Sequence, residues 1–479
     1  MYLLAIVAPE VGLGHHVLFG ANGETSVHPV VLAATIVAIV LMLLLPRKHV
    51  VAPLLLLSIL SPLGQRVMVG PFHFQIVRIL VIFAWIRLLW QRYSSEGQSS
   101  KIRINSVDKA VILYTISCVI CYTLLWQDSA AFFNQVGQTY NVLGLYFVFR
   151  FFIRDRKDIE RTIKVLAVTA LPVAALMLNE QMTGRNVLAV FGGVPEYTAI
   201  REGYLRAQGP FTVYLTAGAF GATLLPLFLC LWHRGGARLL ASLGIAAAIT
   251  IAITSRTSTA ISACLATVIG LGMWFLRDKM RLVRWGIVST LLGLHLAMKA
   301  PVWALIERID IVGGSTGWHR FKILDNFIHH FWDWWLLGSN NYWTWEGGDD
   351  MWDTANQYVS TGETSGLLSL IFFIAAIVYC FKYLGSARKA AGRDSQQAWF
   401  FWLLGVALFS NLVAFVGISY YDQISTYWYA LLAMIVAAAA PGRFARTVMV
   451  IAKSPQPKLG GWEAQPDGSE PGLNKLLVE

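Results

Sequence analysis

Long apolar runs alternate with short polar connections along the chain from His28 to Ala440. Each run approaches the roughly 20 residues that an α-helix needs to cross a bilayer. The pattern therefore predicts spanning helices, and the short connections leave no room for a separate soluble domain. Thirteen spans can be placed, at residues 29–45, 49–64, 72–90, 110–126, 139–153, 165–180, 210–231, 238–254, 258–276, 285–304, 365–383, 398–416 and 425–441.

One long polar interruption separates the tenth predicted span from the eleventh. It is rich in tryptophan and poor in lysine and proline, so we expect it to fold. Its FKILDNFIHHFWDWWLL stretch has apolar residues at helical spacing, which predicts a short helix lying in the membrane interface. The chain thus divides into an N-terminal segment, ten spans, the long loop, three spans and a disordered tail, at residues 1–28, 29–304, 305–364, 365–441 and 442–479.

The composition agrees with a membrane protein. Of the 479 residues, 56% are hydrophobic and 14% are charged, whereas a soluble domain carries about 25% charged residues. All five cysteines lie inside apolar runs, so no disulfide bond is predicted. The predicted fold class is an all-α polytopic membrane protein with about 12–13 transmembrane helices and one large loop that contains short interfacial helices.

The distribution of positive charge predicts the orientation. Of the 38 lysines and arginines, 27 lie in one set of connections and in the tail, and 9 lie in the opposite set. Because positive residues are retained on the cytoplasmic side, the long loop and the N-terminus are predicted to lie outside. The net charge of +11 therefore reflects topology, and no nucleic-acid partner is predicted.

Arginines on the outer side need a further explanation. Arg201 and Arg206 lie in REGYLRAQGPF before the seventh predicted span, and Arg256 lies in the tight TSRTS turn. A guanidinium is a permanently charged, bidentate phosphate ligand, so these residues are candidates to bind a lipid diphosphate. The alternative is that they contact lipid head groups or pair with acids such as Glu202. The hydroxyl residues around Arg256 favour a buried polar pocket.

Acidic side chains cluster in and after the long loop. They are Glu346, Asp349, Asp350, Asp353 and Glu363. Such carboxylates can supply a general base. A metal site is the weaker interpretation, because the spacing lacks the alternation and the turn glycine of a calcium loop.

Aromatic side chains are dense in the same loop. Tyr342, Trp343, Trp345 and Trp352 fall within eleven residues. An interfacial aromatic belt explains part of this density. The alternative is a platform on which sugar rings stack against the aromatic faces.

Five motifs follow one another in a fixed order between residues 201 and 379. They are RAQGPFTVYLTAGAF, TSRTS, GWHRFKILDNFI, LLGSNNYW and DTANQYVSTGETSGLLSL. This order resembles the O-antigen ligase and polysaccharide polymerase superfamily of bacterial inner membranes. The resemblance implies that Arg206 and Arg256 hold the diphosphate of an undecaprenyl-linked glycan, with Arg201 and Arg320 as further ligands.

The activity implied is that of a glycosyltransferase which needs no metal and no other cofactor. It would join undecaprenyl-diphosphate-linked repeat units on the periplasmic face, for an exopolysaccharide or O-antigen. Membrane lipids, a chain-length regulator and export proteins are the further partners implied. The alternatives are ligase-type transfer of the glycan to another acceptor, and a transporter or flippase for the lipid-linked glycan.

One departure from the superfamily concerns the base. Ligases have His-Asn in the closing motif, and this chain has Ala355-Asn356, which favours a polymerase. Asp353 becomes the first candidate base and Glu363 the second, with Asn356 as a further catalytic candidate. We expect residues 353–356 to be non-helical, the next helix to begin after Gly362, and Asp353 to face the two principal arginines.

Overall fold

A computed structural model describes residues 27–69, 72–94, 103–232, 237–307, 316–345, 354–392, 394–421 and 423–439. All of these belong to one compact unit, Met1–Ala439. The predicted N-terminal segment, apart from its last two residues, and the predicted tail lie outside the described residues. The helices are α1 (Pro29–Leu44), α2 (Val51–Leu60), α3 (Ile76–Ser94), α4 (Ser106–Trp126), α5 (Ser129–Phe152), α6 (Arg156–Thr183), α7 (Tyr214–Trp232), α8 (Arg238–Thr254), α9 (Ser258–Gly272), α10 (Met280–Ala297), α11 (Thr316–His329), α12 (Phe331–Trp334), α13 (Gln357–Ala390), α14 (Ser395–Ala414) and α15 (Gln423–Ala438).

The helices support an all-α, multi-pass membrane protein. Within the described ranges, six helices are long and apolar enough to cross a membrane by length and composition: α4, α6, α7, α9 with its 3-10 extension to Leu276, α13 and α14. Helices α1, α8 and α15 are apolar but shorter. A helix lies at each of the thirteen predicted spans, although the span predicted at 72–90 begins as a strand.

Two short antiparallel hairpins interrupt the helices. The first pairs β1 (Arg66–Val69) with β2 (Phe72–Gln75), and the second pairs β3 (Ala199–Arg201) with β4 (Tyr204–Arg206). The second hairpin carries two of the predicted arginines. Its turn consists of Glu202 and Gly203, both at positive φ, as a two-residue type I′ turn requires.

Helix α7 is the most buried of the six candidate spans, and its small residues allow close packing. A Cβ added at Gly221 would lie 2.7 Å from Cγ2 of Ile251 in α8, and one added at Gly218 would overlap Ser255. Glycine at helix contacts lets backbones approach closely. These two glycines therefore bring the Arg256 turn against the start of α7.

Helix α13 is broken at Gly366, which has φ 72° and ψ 176°. The backbone of the long loop fills the break, because Ser339 N donates to Glu363 O at 2.7 Å and Leu367 N donates to Trp335 O at 2.8 Å. The groups that the broken helix leaves without partners are thus satisfied by the loop. This fastens the loop to the eleventh span.

The start of α13 differs from the prediction. Residues 354–356 are non-helical as expected, but the helix begins at Gln357 and not after Gly362. The reason is that Asn356 caps it: Oδ1 of Asn356 accepts from Tyr358 N at 3.0 Å and Val359 N at 3.2 Å. Such a cap satisfies amide groups of the first turn and stabilises a helix start.

The helix predicted in the long loop is present as α11 and α12, and these helices have a core of their own. Phe327 stacks on Trp334 with ring centroids 3.9 Å apart, and a Cβ at Gly362 would lie 2.5 Å from Phe327. The buried members of this core are Ile323, Phe327, Trp334, Trp345, Ala355, Val359 and Leu370. The loop therefore packs against α13 as a folded unit.

We predict that Gly366→Ala destabilises the protein. A Cβ there would lie 2.5 Å from Leu336 O, and the backbone conformation is one that only glycine adopts readily; such strain costs about 1–3 kcal/mol. Thermal unfolding of the purified protein, followed by tryptophan fluorescence, measures the effect. Gly385→Ala is the control, because a Cβ there meets nothing within 4 Å and alanine favours a helix. Equal unfolding temperatures for the two variants would contradict the prediction.

Candidate functional site

The β3–β4 hairpin presents two arginines on one face. Arg201 is paired with Tyr204, and Ala199 is paired with Arg206. Cross-strand partners share a face, and alternate residues along a strand share it too. Arg201, Tyr204 and Arg206 therefore project from the same side of the hairpin.

Arg206 is buried, with 5% of its surface exposed. Its guanidinium carbon lies 5.3 Å from the centroid of the Tyr214 ring, at the start of α7. Its Nε is buried and has no hydrogen-bond partner among the residues that the structure describes. Burying a cation is costly unless it is paired, so this side chain is suited to accept an anion.

Arg256 lies in the turn between α8 and α9 and has a positive φ of 45°. Its guanidinium carbon is 4.5 Å from the centroid of the Tyr204 ring. A backbone hydrogen bond from Ala207 N to Thr254 O, 3.1 Å long, joins the hairpin to this turn. Arg256 therefore reaches the hairpin face from which Arg206 projects.

The hydroxyl residues around Arg256 are buried, as predicted from the TSRTS sequence. Their hydrogen bonds are mostly local. Thr254 Oγ1 donates to Thr250 O at 2.8 Å and Ser255 Oγ donates to Ala252 O at 2.8 Å, while Thr257 Oγ1 caps α9. These hydroxyls fix the turn, and the arginine remains the group available for a ligand.

Arg320 approaches the same turn from α11. Its Nη2 donates to Thr259 Oγ1 at 2.9 Å, and a Cβ at Gly417 would lie 3.0 Å from that nitrogen. Burial, followed by the positive charge of Arg201, lowers the pKa of Arg320 from its usual value. Arg201 of the hairpin is therefore close enough to Arg320 for their positive charges to interact.

The structure thus brings together arginines from the hairpin, the Arg256 turn and the long loop. None of the four forms an ion pair with a carboxylate of the described residues. The alternative in which these arginines pair with Glu202 is therefore not observed. Guanidinium groups concentrated without counter-charges create a positive potential that attracts an anion. We call Arg201, Arg206, Arg256 and Arg320 the arginine cluster.

Of the three catalytic candidates, the structure describes Glu363 and Asn356. Glu363 is 4% exposed, and its Oε2 accepts from Thr354 Oγ1 at 2.9 Å. Asn356 is buried as the cap of α13, so its Oδ1 is already engaged with the helix. Asp353 lies outside the described residues, as do Glu346, Asp349 and Asp350.

The aromatic candidates do not form one open platform. Trp345 is 7% exposed and stacks on His330 with centroids 4.7 Å apart, so it packs in the loop core. Tyr342 and Trp343 are half-buried and meet edge to face at 5.4 Å. Trp352 lies outside the described residues. Of the described aromatic candidates, Tyr342 and Trp343 keep exposed surface for a sugar.

The loop between α14 and α15 also supports the site, although its sequence shows no catalytic pattern. Ser419 Oγ donates to Thr354 O at 2.7 Å, and Tyr420 N donates to Gln357 Oε1 at 2.7 Å. Gly417 O accepts from Thr259 Oγ1 at 3.3 Å. This loop therefore contacts both the start of α13 and the Arg256 side of the site. The only sequence signal is the glycine in VGISYYD.

No protein-family model matches the chain, and no curated protein matches its sequence.

Proposed function

We propose that the chain is a glycan polymerase that acts outside the cytoplasmic membrane of a bacterium on undecaprenyl-diphosphate-linked oligosaccharides. The observation that carries the proposal is the arginine cluster, in which Arg206 is buried and has an unpaired Nε. A diphosphate offers the oxygen atoms that bidentate guanidinium groups bind. The order of motifs that resembles the O-antigen ligase and polymerase superfamily supports the same class.

The exposed surface beside Arg256 favours a lipid-borne substrate. Ile253 precedes the turn and is 66% exposed, and Ile261 follows it on α9 and is exposed as well. Apolar side chains exposed on helices of a membrane protein face lipid. A diphosphate bound at Arg256 would therefore lie beside the acyl chains of the bilayer, where the prenyl chain of the substrate can be accommodated.

The proposed reaction transfers the glycan chain of one lipid carrier to the sugar of another. The acceptor hydroxyl attacks the anomeric carbon, the new glycosidic bond forms, and the bond from that carbon to the diphosphate oxygen breaks. The arginine cluster stabilises the negative charge that develops on the leaving diphosphate. A carboxylate, Asp353 or Glu363, accepts the proton of the hydroxyl.

Ala355 favours polymerisation over ligase-type transfer. It stands where the superfamily's ligases have histidine, and it is buried in the core of the loop. Its methyl side chain, packed among apolar side chains, supplies neither an acid nor a base. The proton acceptor therefore has to come from a carboxylate in this proposal.

The first test concerns topology and follows from the 27 to 9 charge distribution. A reporter active only outside the cytoplasm should be active when fused at Gly347, and one active only inside should be active when fused at Ser395. The reason is retention of positive loops on the cytoplasmic side. The reversed pattern for both fusions would remove the basis of the proposal.

The second test concerns the arginine cluster. We expect Arg256→Ala to lower the polymerisation rate about a hundredfold, because one contact to developing charge contributes about 3 kcal/mol. Arg206→Lys should also impair the reaction, since the planar fork is lost. The assay measures polymer length from lipid-linked repeat units at equal protein levels.

Arg185→Ala is the matched control for this second test. Arg185 is also on the predicted outer side, but it is exposed and its Nη1 lies 3.5 Å from Glu196 Oε1. Its replacement should leave the rate within about twofold, as expected of an exposed ion pair. Wild-type polymer from Arg256→Ala would show that the cluster has no part in the reaction.

The third test identifies the base. We expect Asp353→Asn to lower the rate by about 10² to 10⁴, the usual contribution of general base catalysis, and Glu363→Gln to have a smaller effect. Thr354 can still donate to the amide oxygen of a glutamine at 363, so that variant should fold. A larger loss of rate in Glu363→Gln than in Asp353→Asn would assign the base to Glu363. Wild-type rates from both variants would exclude both carboxylates as the base.

A further inference from the structure

Glu180, in the last turn of α6, is a buried carboxylate that binds only uncharged donors among the described residues. It is 1% exposed. Its Oε2 accepts from Gln208 N at 3.1 Å and from Gly209 N at 2.7 Å, and its Oε1 accepts from Thr198 Oγ1 at 3.3 Å. Three donors from the segments on either side of the hairpin therefore converge on this one side chain.

These donors lie at the base of the β3–β4 hairpin. Thr198 directly precedes β3, and Gln208 and Gly209 lie two and three residues after the end of β4. One carboxylate therefore holds both strands at the end opposite the turn. Asn186 Nδ2 donates to Gly209 O at 2.8 Å and supports this same end of the hairpin.

The next residue, Gln181, joins the hairpin to the Arg256 turn. In the amide orientation that satisfies both neighbours, its nitrogen donates to Leu205 O at 3.2 Å and to Thr254 O at 3.1 Å. Leu205 immediately precedes Arg206, and Thr254 lies two residues before Arg256. A single side chain thus binds the backbone beside both arginines.

We infer that Glu180 and Gln181 are positioning residues that set the separation and orientation of Arg206 and Arg256 for one diphosphate group. The inference rests on the proposed function. Two guanidinium groups can bind one diphosphate bidentately only if their backbones are held in a fixed relation, and small misplacements of binding groups are costly. The end of α6 supplies that fixed reference, because both side chains start from the same helical turn.

A role in positioning accounts for two polar side chains, Glu180 and Gln181, that turn inward near the end of an apolar helix. Glu180 is buried and Gln181 is half-buried, and neither side chain is needed to cap α6, which Gly184 closes with a left-handed conformation. The sequence pattern gives only a weak signal, the three polar residues in LNEQ at the end of a predicted span. It does not indicate which distant backbone groups Glu180 and Gln181 bind.

The experiment measures binding of farnesyl diphosphate and farnesyl monophosphate to the full chain in phospholipid nanodiscs. Gln181→Met keeps the side-chain volume but removes both hydrogen bonds, and Glu180→Gln replaces an acceptor with a group that faces donors. We expect each variant to weaken diphosphate binding about tenfold or more and to reduce the preference for diphosphate over monophosphate. Loss of folded protein lowers the number of sites and does not change that preference.

A double-mutant cycle adds a second readout. If Gln181 acts through the placement of Arg256, the losses caused by Gln181→Met and Arg256→Lys should sum to more than the loss in the double variant. Asn179→Ala is the matched control, because Asn179 is an exposed amide residue on the same helix, one position before Glu180. It should bind both probes as the wild type does.

The outcomes separate the two proposals. Unchanged diphosphate binding in Arg206→Ala and Arg256→Ala would overturn the proposed function and this inference with it. Weakened binding in those two variants, with wild-type affinity and preference in Gln181→Met and Glu180→Gln, would overturn the inference alone. Additive losses in the double-mutant cycle would exclude placement of Arg256 as the role of Gln181.

Discussion

The hydrogen bond from Ala207 N to Thr254 O is the contact on which the arrangement of the candidate site depends. It joins two segments that are separated along the chain by the whole of α7 and by α8 up to its last residue. Arg206 lies one residue before its donor, and Arg256 lies two residues after its acceptor. Because the backbones are in direct contact, the two guanidinium groups are held on one side of the hairpin, and neither forms a salt bridge with an acid in the described ranges.

Close packing beneath this contact comes from small residues. Gly218 and Gly221 on α7 leave space for Ser255 and Ile251, so the Arg256 turn lies directly on the start of that helix. A helix with larger residues at these positions would hold the turn farther away. Glycine here acts through its size, as it does in membrane helix contacts generally.

Glycine residues allow the long loop to lie close to the bundle. Gly338 and Gly366 allow the loop backbone to cross the break in α13, and both have positive φ. Gly417 leaves room for the guanidinium of Arg320 where it binds Thr259. The loop therefore contributes Arg320 to the site. Its aromatic residues, Trp345 among them, pack in the core of the loop.

Within the described part of the chain, no carboxylate forms an ion pair with the arginine cluster. The long side chains of Arg206 and Arg256 lie against the rings of Tyr214 and Tyr204, an arrangement that stabilises a cation modestly. The carboxylate of Glu180 is nearby in the fold, but it is occupied with backbone amides and a hydroxyl. An anionic ligand would supply the missing counter-charge, which is the physical reason to expect one.

The sequence by itself determined where the helices lie, because the length of an apolar run is a local property, and each predicted span coincides with a helix. It also singled out the arginines of the predicted outer side, which stand apart from the general charge distribution. It did not determine the start of α13, since the Asn356 cap outweighed the glycine and threonine residues that follow. Nor did it show that Trp345 is buried. Only the tertiary structure showed that Arg256 lies against Tyr204 of the hairpin and that Arg320 binds Thr259. It also showed that Glu180 and Gln181 bind backbone groups beside Arg206 and Arg256. These relations depend on contacts between segments far apart in the chain, which no local periodicity records.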